Sequence, residues 1–212
     1  MTPDSRKQLR KHLRTARRSL SRVEQRRASQ QLTRRLSKTS LFVRSRHIAF
    51  YLAADGEIDP LPLLHRCRRL RKHCYLPVLH RWPSTRMSFQ RLLPQQRWTR
   101  NRYGIREPLP NRKLQVRPWR LDLVLMPLVG FDESGNRLGM GGGFYDRSFA
   151  FRHRRASWRR PALIGLAHQC QKTEALPAAS WDIPLDGIAT DHELLLLRPD
   201  LRMPLRLEDN QG

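Results

Sequence analysis

The stretch LDLVLMPLVGFDESGNRLGMGGGFYDR, residues 121–147, decides how the rest of the chain is read. Its first part, 121–131, is apolar but for Asp122, as a central strand covered on both faces must be. Five glycines follow at once: Gly135, Gly139, Gly141, Gly142 and Gly143. Successive glycines let backbone N–H groups converge on one point and let an oxygen-rich ligand approach without meeting a Cβ. A helix beginning near Phe144 and running through DRSFAFRHRR would turn its positive end to the same place. A bare triple glycine is equally a flexible hairpin or linker. Arg137, Tyr145, Asp146 and Arg147 crowd this one, and its place after a buried strand is where α/β sheets hold ligands. It has no Gly-Lys-Ser/Thr of a Walker loop and is not a dinucleotide fingerprint.

Upstream, Leu9, Leu13, Ala16 and Leu20 are spaced for one face of a helix over 3–19. Its other faces carry Arg6, Lys7, Arg10, Lys11, Arg14, Arg17 and Arg18. Ser21 and Glu24 form a capping-box pattern for a second helix that buries Ala28, Leu32 and Leu36. HIAFYLA (47–53) reads as a buried strand, followed by a helix that Asp59 caps and Pro60 opens, with Leu63, Leu64, Cys67 and Leu70 inward. KHCYLPVL (72–79) and MSFQRLL (87–93) are strands around the turn RWPST; PALIGLAH (161–168) is another, and GIATDHELLLL (187–197) the last. The polar, Pro-rich segment 94–119 is a surface loop long enough to suggest a binding role. Strands alternating with helices predict a single three-layer α/β/α domain with a mainly parallel central sheet, preceded by two N-terminal helices. Its core would cover about 5–198, leaving a polar tail over 199–212.

With 212 residues the chain suits one domain, and 42 Lys and Arg against 18 Asp and Glu give a formal charge of +24. Such a charge attracts polyanions, whether nucleic acid, an anionic membrane or phosphorylated and polycarboxylate small molecules. No recognisable nucleic-acid module accompanies it, and the basic residues are spread along the whole chain, so small anions are favoured over a specific nucleic acid. No apolar run reaches the roughly 18 to 20 residues that span a bilayer, and no apolar stretch follows the Arg-rich start as in a signal peptide. A cytoplasmic monomer without membrane or nucleic-acid partners is therefore expected. Cys67, Cys74 and Cys170 lack metal-type spacing and read as reduced packing residues.

MPLVGFDESGNRLGMGGGFYDR (126–147) resembles the signature of the 5-formyltetrahydrofolate cyclo-ligase family. RKQLR, YLAADGEID, YGIREP, IGLAHQCQ and WDIPLDGIATD follow the family's order from residue 6 to about 191. The resemblance implies an ATP- and Mg2+-dependent ring closure of 5-formyltetrahydrofolate to 5,10-methenyltetrahydrofolate. It assigns ATP binding to Arg6, Lys7 and Arg10 and to the loop Arg137, Leu138, Gly139, Met140, Gly141, Gly142, Gly143, Phe144 and Tyr145. Leu52 and Glu57 would bind the folate, with Arg10, Met140, Gly141, Gly142, Gly143 and Phe144 facing the formyl group. Asp146 and Asp182 would ligate Mg2+, with Asp186 as a nearby substitute. Met140 stands where relatives often have Arg, a lost cationic contact for which Arg137 or Arg147 would compensate. The residue types leave other roles open. Asp146 can cap a helix or pair with Arg147, Asp182 can cap, Leu52 can be core, and any one basic residue of the first helix can be merely solvated. Tyr103 and Trp119 can stack on a substrate ring or simply pack. His168 reads as a satisfied core or rim histidine, and no catalytic base is assigned.

Overall fold

Along the strand that precedes the glycine loop, Leu123 and Leu125 sink into one hydrophobic core, whereas Val124 and Met126 sink into another. A strand buried on both faces belongs to the middle of a covered sheet. The computed structural model describes residues 3–154, 160–176 and 179–201. Among them an eight-stranded sheet is built from β1 (His47–Ala49), β2 (His73–Leu79), β3 (Met87–Arg91), β4 (Gln115–Val116), β5 (Leu123–Pro127), β6 (Ala162–Leu166), β7 (Gly187–Ala189) and β8 (Leu194–Leu196). The order is β8-β7-β6-β5-β1-β2-β3-β4; the five strands from β7 to β2 are parallel, and β8, β3 and β4 pair antiparallel at the edges.

The helices divide between the two faces. Helices α2 (Arg22–Leu36), α3 (Ser40–Arg44) and α4 (Leu61–Arg69) send Leu32, Leu36, Phe42, Leu63, Leu64 and Cys67 into the first core. Helix α5 (Phe144–Phe149), continued by α6 (Phe151–Arg154), sends Phe149 into the second. Helix α1 (Pro3–Arg18) belongs to neither layer: Leu9 and Leu13 pack with Val129, Leu138 and Leu176, so it lies across the C-terminal strand ends. The Ser21–Glu24 capping box is formed, with Ser21 N–H to Glu24 Oε2 at 2.7 Å and Glu24 N–H to Ser21 Oγ at 3.3 Å. Ser21→Ala is expected to cost about 1 kcal/mol, read as a lower urea midpoint with an unchanged slope.

Several expectations need correction. Segment 187–197 is two strands, because the Thr190 hydroxyl accepts the N–H groups of His192 (3.0 Å) and Glu193 (2.9 Å) and turns the chain back. Likewise 121–131 is not one strand: after Pro127 the chain leaves the sheet, and Gly130–Phe131 pairs with Arg137–Leu138 in a separate hairpin. The stretch 94–119 is no plain loop. Trp98–Arg100 and Arg106–Pro108 form a hairpin closed by the Asn101 side chain, which accepts from Tyr103 N–H at 2.9 Å, and Gln115–Val116 joins the sheet. Leu70 is exposed, and so is Cys170, which is not a packing residue; Cys67 and Cys74 are buried free thiols. The helix starts at Leu61 with Pro60 at its boundary and no side-chain cap, so Asp59, though it accepts the Leu61 N–H at 3.0 Å, does not cap it and Pro60 is not in its first turn. The end of DRSFAFRHRR and most of the tail fall outside the described residues. None of the helices among the described residues is long and apolar enough to cross a membrane.

Candidate functional site

Strand β1 is flanked by β2 on one side and by β5 on the other, so strand order reverses there. Open α/β sheets bind ligands outside the C-terminal strand ends at such a switch point. A cavity of about 1050 Å3 occupies this position, walled by α1, the β1–α4 loop, the glycine loop and the 98–108 hairpin.

One end of the cavity is cationic. Arg6 and Arg10, one helical turn apart on α1, both line it, and Arg10 Nε donates to Gly139 O at 2.9 Å. Burial, and then the charge of Arg6, lower the pKa of Arg10. Adjoining guanidinium groups in that condition favour an anionic ligand. Gly141 and Gly143 have φ of +94° and +60°, a backbone region open to glycine at little cost. Arg147 donates to Gly142 O and, at 3.0 Å, to Thr85 O, tying the loop to the turn before β3. Met140 is exposed at the rim. Lys7 is exposed and Leu138 is buried against α1; neither lines the cavity, whereas the other loop residues named above do. Helix α5 is short, so little of the loop's electrostatic character comes from a helix dipole.

Two carboxylates reach the same end. Asp146 pairs with Arg137 Nη2 at 2.5 Å and accepts the Ile183 N–H at 3.1 Å; its partner is Arg137, not Arg147. Asp182 pairs with Arg6 at 3.2 Å and accepts the Ala179 N–H at 2.9 Å. Asp186 does not substitute for either. It is buried away from the cavity and holds Arg152 at 2.9 and 2.7 Å and the Leu163 N–H at 2.7 Å, a wholly structural set.

The rest of the lining is more apolar and includes Leu52, Leu76, Leu79 and Met87, with Glu57. Glu57 Oε2 accepts the Ala54 N–H at 3.1 Å. Burial raises its pKa to about 7 against the opposing Ala54 hydrogen bond and Arg17 charge. Tyr103 lines the opening, edge-on to Phe144 at 6.1 Å between centroids, while Trp119 packs on Phe151 outside the lining. His168 is buried as expected, and burial lowers its pKa against the Asp191 charge and a backbone hydrogen bond with Gly56.

Sequence reasoning missed two groups. Arg17, assigned to the solvated exterior, is fully buried and grips Asp55. Its position four residues after Leu13 was the available signal, since i and i+4 share a helix face. Glu107, also buried, lines the cavity and accepts the Leu79 N–H at 3.0 Å.

The model of the 5-formyltetrahydrofolate cyclo-ligase family matches residues 2–191. The chain belongs to that family. It is 38% identical over 190 residues to the 5-formyltetrahydrofolate cyclo-ligase of Haemophilus influenzae, covering 89% of this chain and 98% of that one. With the 5-formyltetrahydrofolate cyclo-ligase of Escherichia coli K12 it shares 40% over 184 residues, covering 84% and 96%. The NMR structure of Aquifex aeolicus 5,10-methenyltetrahydrofolate synthetase superposes with a TM-score of 0.76 at 30% identity, over 97% of this chain and 99% of that one. The glycine loop lines the cavity, and Arg6, Arg10, Glu57, Asp146 and Asp182 line it too.

Proposed function

We propose that the chain catalyses the ATP- and Mg2+-dependent closure of 5-formyltetrahydrofolate to 5,10-methenyltetrahydrofolate. The observation that carries this reading is one cavity whose guanidinium and glycine lining is continuous with an apolar lining that holds two carboxyl groups, Glu57 and Glu107. A triphosphate suits the first and a pterin, whose ring and amino N–H groups are donors, suits the second.

In this reading the γ-phosphoryl group passes to the formyl oxygen and ADP leaves. The N10 lone pair then attacks the formyl carbon, the carbon–oxygen bond breaks with phosphate as leaving group, and the N10 proton passes to solvent. Phosphorylation is needed because hydroxide is a poor leaving group. Arg6, Arg10 and the Gly139–Gly143 backbone hold the phosphates in line with the formyl oxygen and balance the charge that builds there. Glu57 orients the pterin and Leu52 packs on its ring or linker.

Asp146 and Asp182 fit Mg2+, which takes one or two carboxylates and completes its shell with phosphate oxygens and water. No group of three or more His, Cys, Asp or Glu among the described residues forms a protein-only metal site, so the fit is to an ion shared with substrate. When bound, Mg2+ would neutralise phosphate charge during transfer. The same reading takes the protein as a single-domain cytoplasmic monomer that acts on small molecules. The test is growth of the methenyl-folate absorbance with purified protein, 5-formyltetrahydrofolate, ATP and Mg2+. No growth from folded, ATP-binding protein would overturn it.

A further inference from the structure

Arg17 is a fully buried cation that reaches the folate acid from the helix bearing the phosphate arginines. Its Nε donates to Asp55 O at 2.9 Å, Nη2 to Asp55 Oδ2 at 2.9 Å, and Nη1 to Leu128 O at 3.1 Å, while Nη2 stands 3.8 Å from Glu57 Oε1. One planar fork therefore ties α1 to the turn after β1 and to the chain leaving β5, the two sides of the switch point. That turn is an unusual one: Asp55 has φ of 55°, a left-handed value for a residue with a side chain, and Gly56 has 75°. A Cβ at Gly56 would stand 3.2 Å from Arg17 O, so the turn rests directly on the last turn of α1. Arg14 and Arg18 add their own bonds to Asp55. Burial alone would raise the Asp55 carboxyl, yet hydrogen bonds from Arg14, Arg18 and Arg17 outweigh it and hold the pKa at about 2. Asp55 is thus a fixed anion, and Arg17 clamped to it becomes a fixed cation beside Glu57.

We infer that Arg17, which lines the cavity with no solvent-exposed surface of its own, is the positioning residue for Glu57: it holds the folate-binding carboxylate in place as a charged neighbour 3.8 Å away. This rests on the proposed cyclo-ligase reading. The charged and titratable groups around Glu57 are Arg17 from α1, Asp55 of the same turn, Tyr51 following β1 and Tyr145 of α5. Burial raises both tyrosines, which leaves Arg17 as the cation that favours the Glu57 carboxylate.

The experiment compares full-length wild type with Arg17→Met, Arg17→Lys, Glu57→Gln and Arg17→Met/Glu57→Gln, measuring KM for folate and for ATP across pH. Arg17→Met is expected to raise KM for folate about tenfold, to leave KM for ATP nearly unchanged, and to move the pH midpoint of folate binding upward. Arg17→Lys, which keeps charge but loses the fork, is expected to restore the midpoint more than KM. In the Glu57→Gln background Arg17→Met is expected to add nothing to KM for folate, as required if it acts through that side chain. Equal rises in both KM values, an unmoved pH midpoint, or additive effects in the double variant would overturn the inference. Should Arg17→Met fail to fold, Arg17→Lys carries the decision by its KM for folate against KM for ATP. Absence of turnover in wild type would instead sink the cyclo-ligase reading itself.

Discussion

Asp146→Ala is expected to lower kcat on the order of a thousandfold while the protein stays folded. The side chain has three connections, and alanine removes all of them. It is one of two carboxylates at the cationic end of the cavity, it neutralises the nearly buried Arg137 guanidinium at 2.5 Å, and it fixes the Ile183 N–H next to Asp182. In the proposed reading, losing the first withdraws a hard oxygen ligand from the place where triphosphate charge would be balanced. Losing the second leaves Arg137, whose other partner is Ile183 O, free to swing toward phosphate and bind the ground state in the wrong geometry. Asp146→Asn separates these effects, because it retains the shape and an acceptor for Ile183 but not the charge. If charge at the cationic end matters most, Asn and Ala fall together in kcat and both need far more Mg2+ for half-maximal rate. Near-normal kcat in Asp146→Asn would reassign the residue to holding the loop alone. A thermal midpoint close to wild type excludes unfolding as the cause.

Much of the fold was open to reading because the governing signals are local. Strand β5 shows itself as an apolar run, α2 by its capping box, and the glycine loop by composition. Two of the errors share a physical origin in side chains that bond to the backbone. Thr190 splits the last strand by accepting two N–H groups, and Asn101 turns a presumed loop into a hairpin. Neither leaves a mark in hydrophobic periodicity. The site divides in the same way. Arg6, Arg10 and the loop residues could be named because they lie in short motifs, and the cavity brings them together with Glu57 and Asp182. For Arg17 the spacing from Leu13 marks only a buried position; its role is intelligible once its partners are known, and Asp55 and Leu128 come from distant segments. Asp186 failed for the converse reason: its sequence neighbourhood matches a metal carboxylate, but Arg152, Arg198 and the Leu163 N–H already use it.

Glu57→Gln is expected to make the protein more stable at alkaline pH and a far poorer folate binder. The folded pKa of Glu57 is about 7 against an ordinary 4.5, so between those values the folded state holds a proton that the unfolded chain has released. The stabilising contribution of the neutral carboxyl is complete below the unfolded pKa and is lost as pH rises through the folded one. At pH 8 the buried carboxylate then costs about 3 kcal/mol, which a neutral glutamine avoids. Denaturant unfolding is expected to find the two proteins nearly equal at pH 5 and the variant ahead by about that amount at pH 8. Binding runs the other way. Pterin donors favour the charged acceptor, so folate binding to wild type near pH 7 releases a proton and tightens as pH rises from 6 to 8. In Glu57→Gln the affinity is expected to fall on the order of a hundredfold and to lose that pH dependence, with no proton released in calorimetry run in buffers of different ionisation enthalpy. A variant that gains stability but binds folate normally would place the pterin elsewhere in the cavity. If affinity falls without any stability gain at pH 8, Glu57 is already ionised in the free protein, and Arg17 outweighs burial at this position.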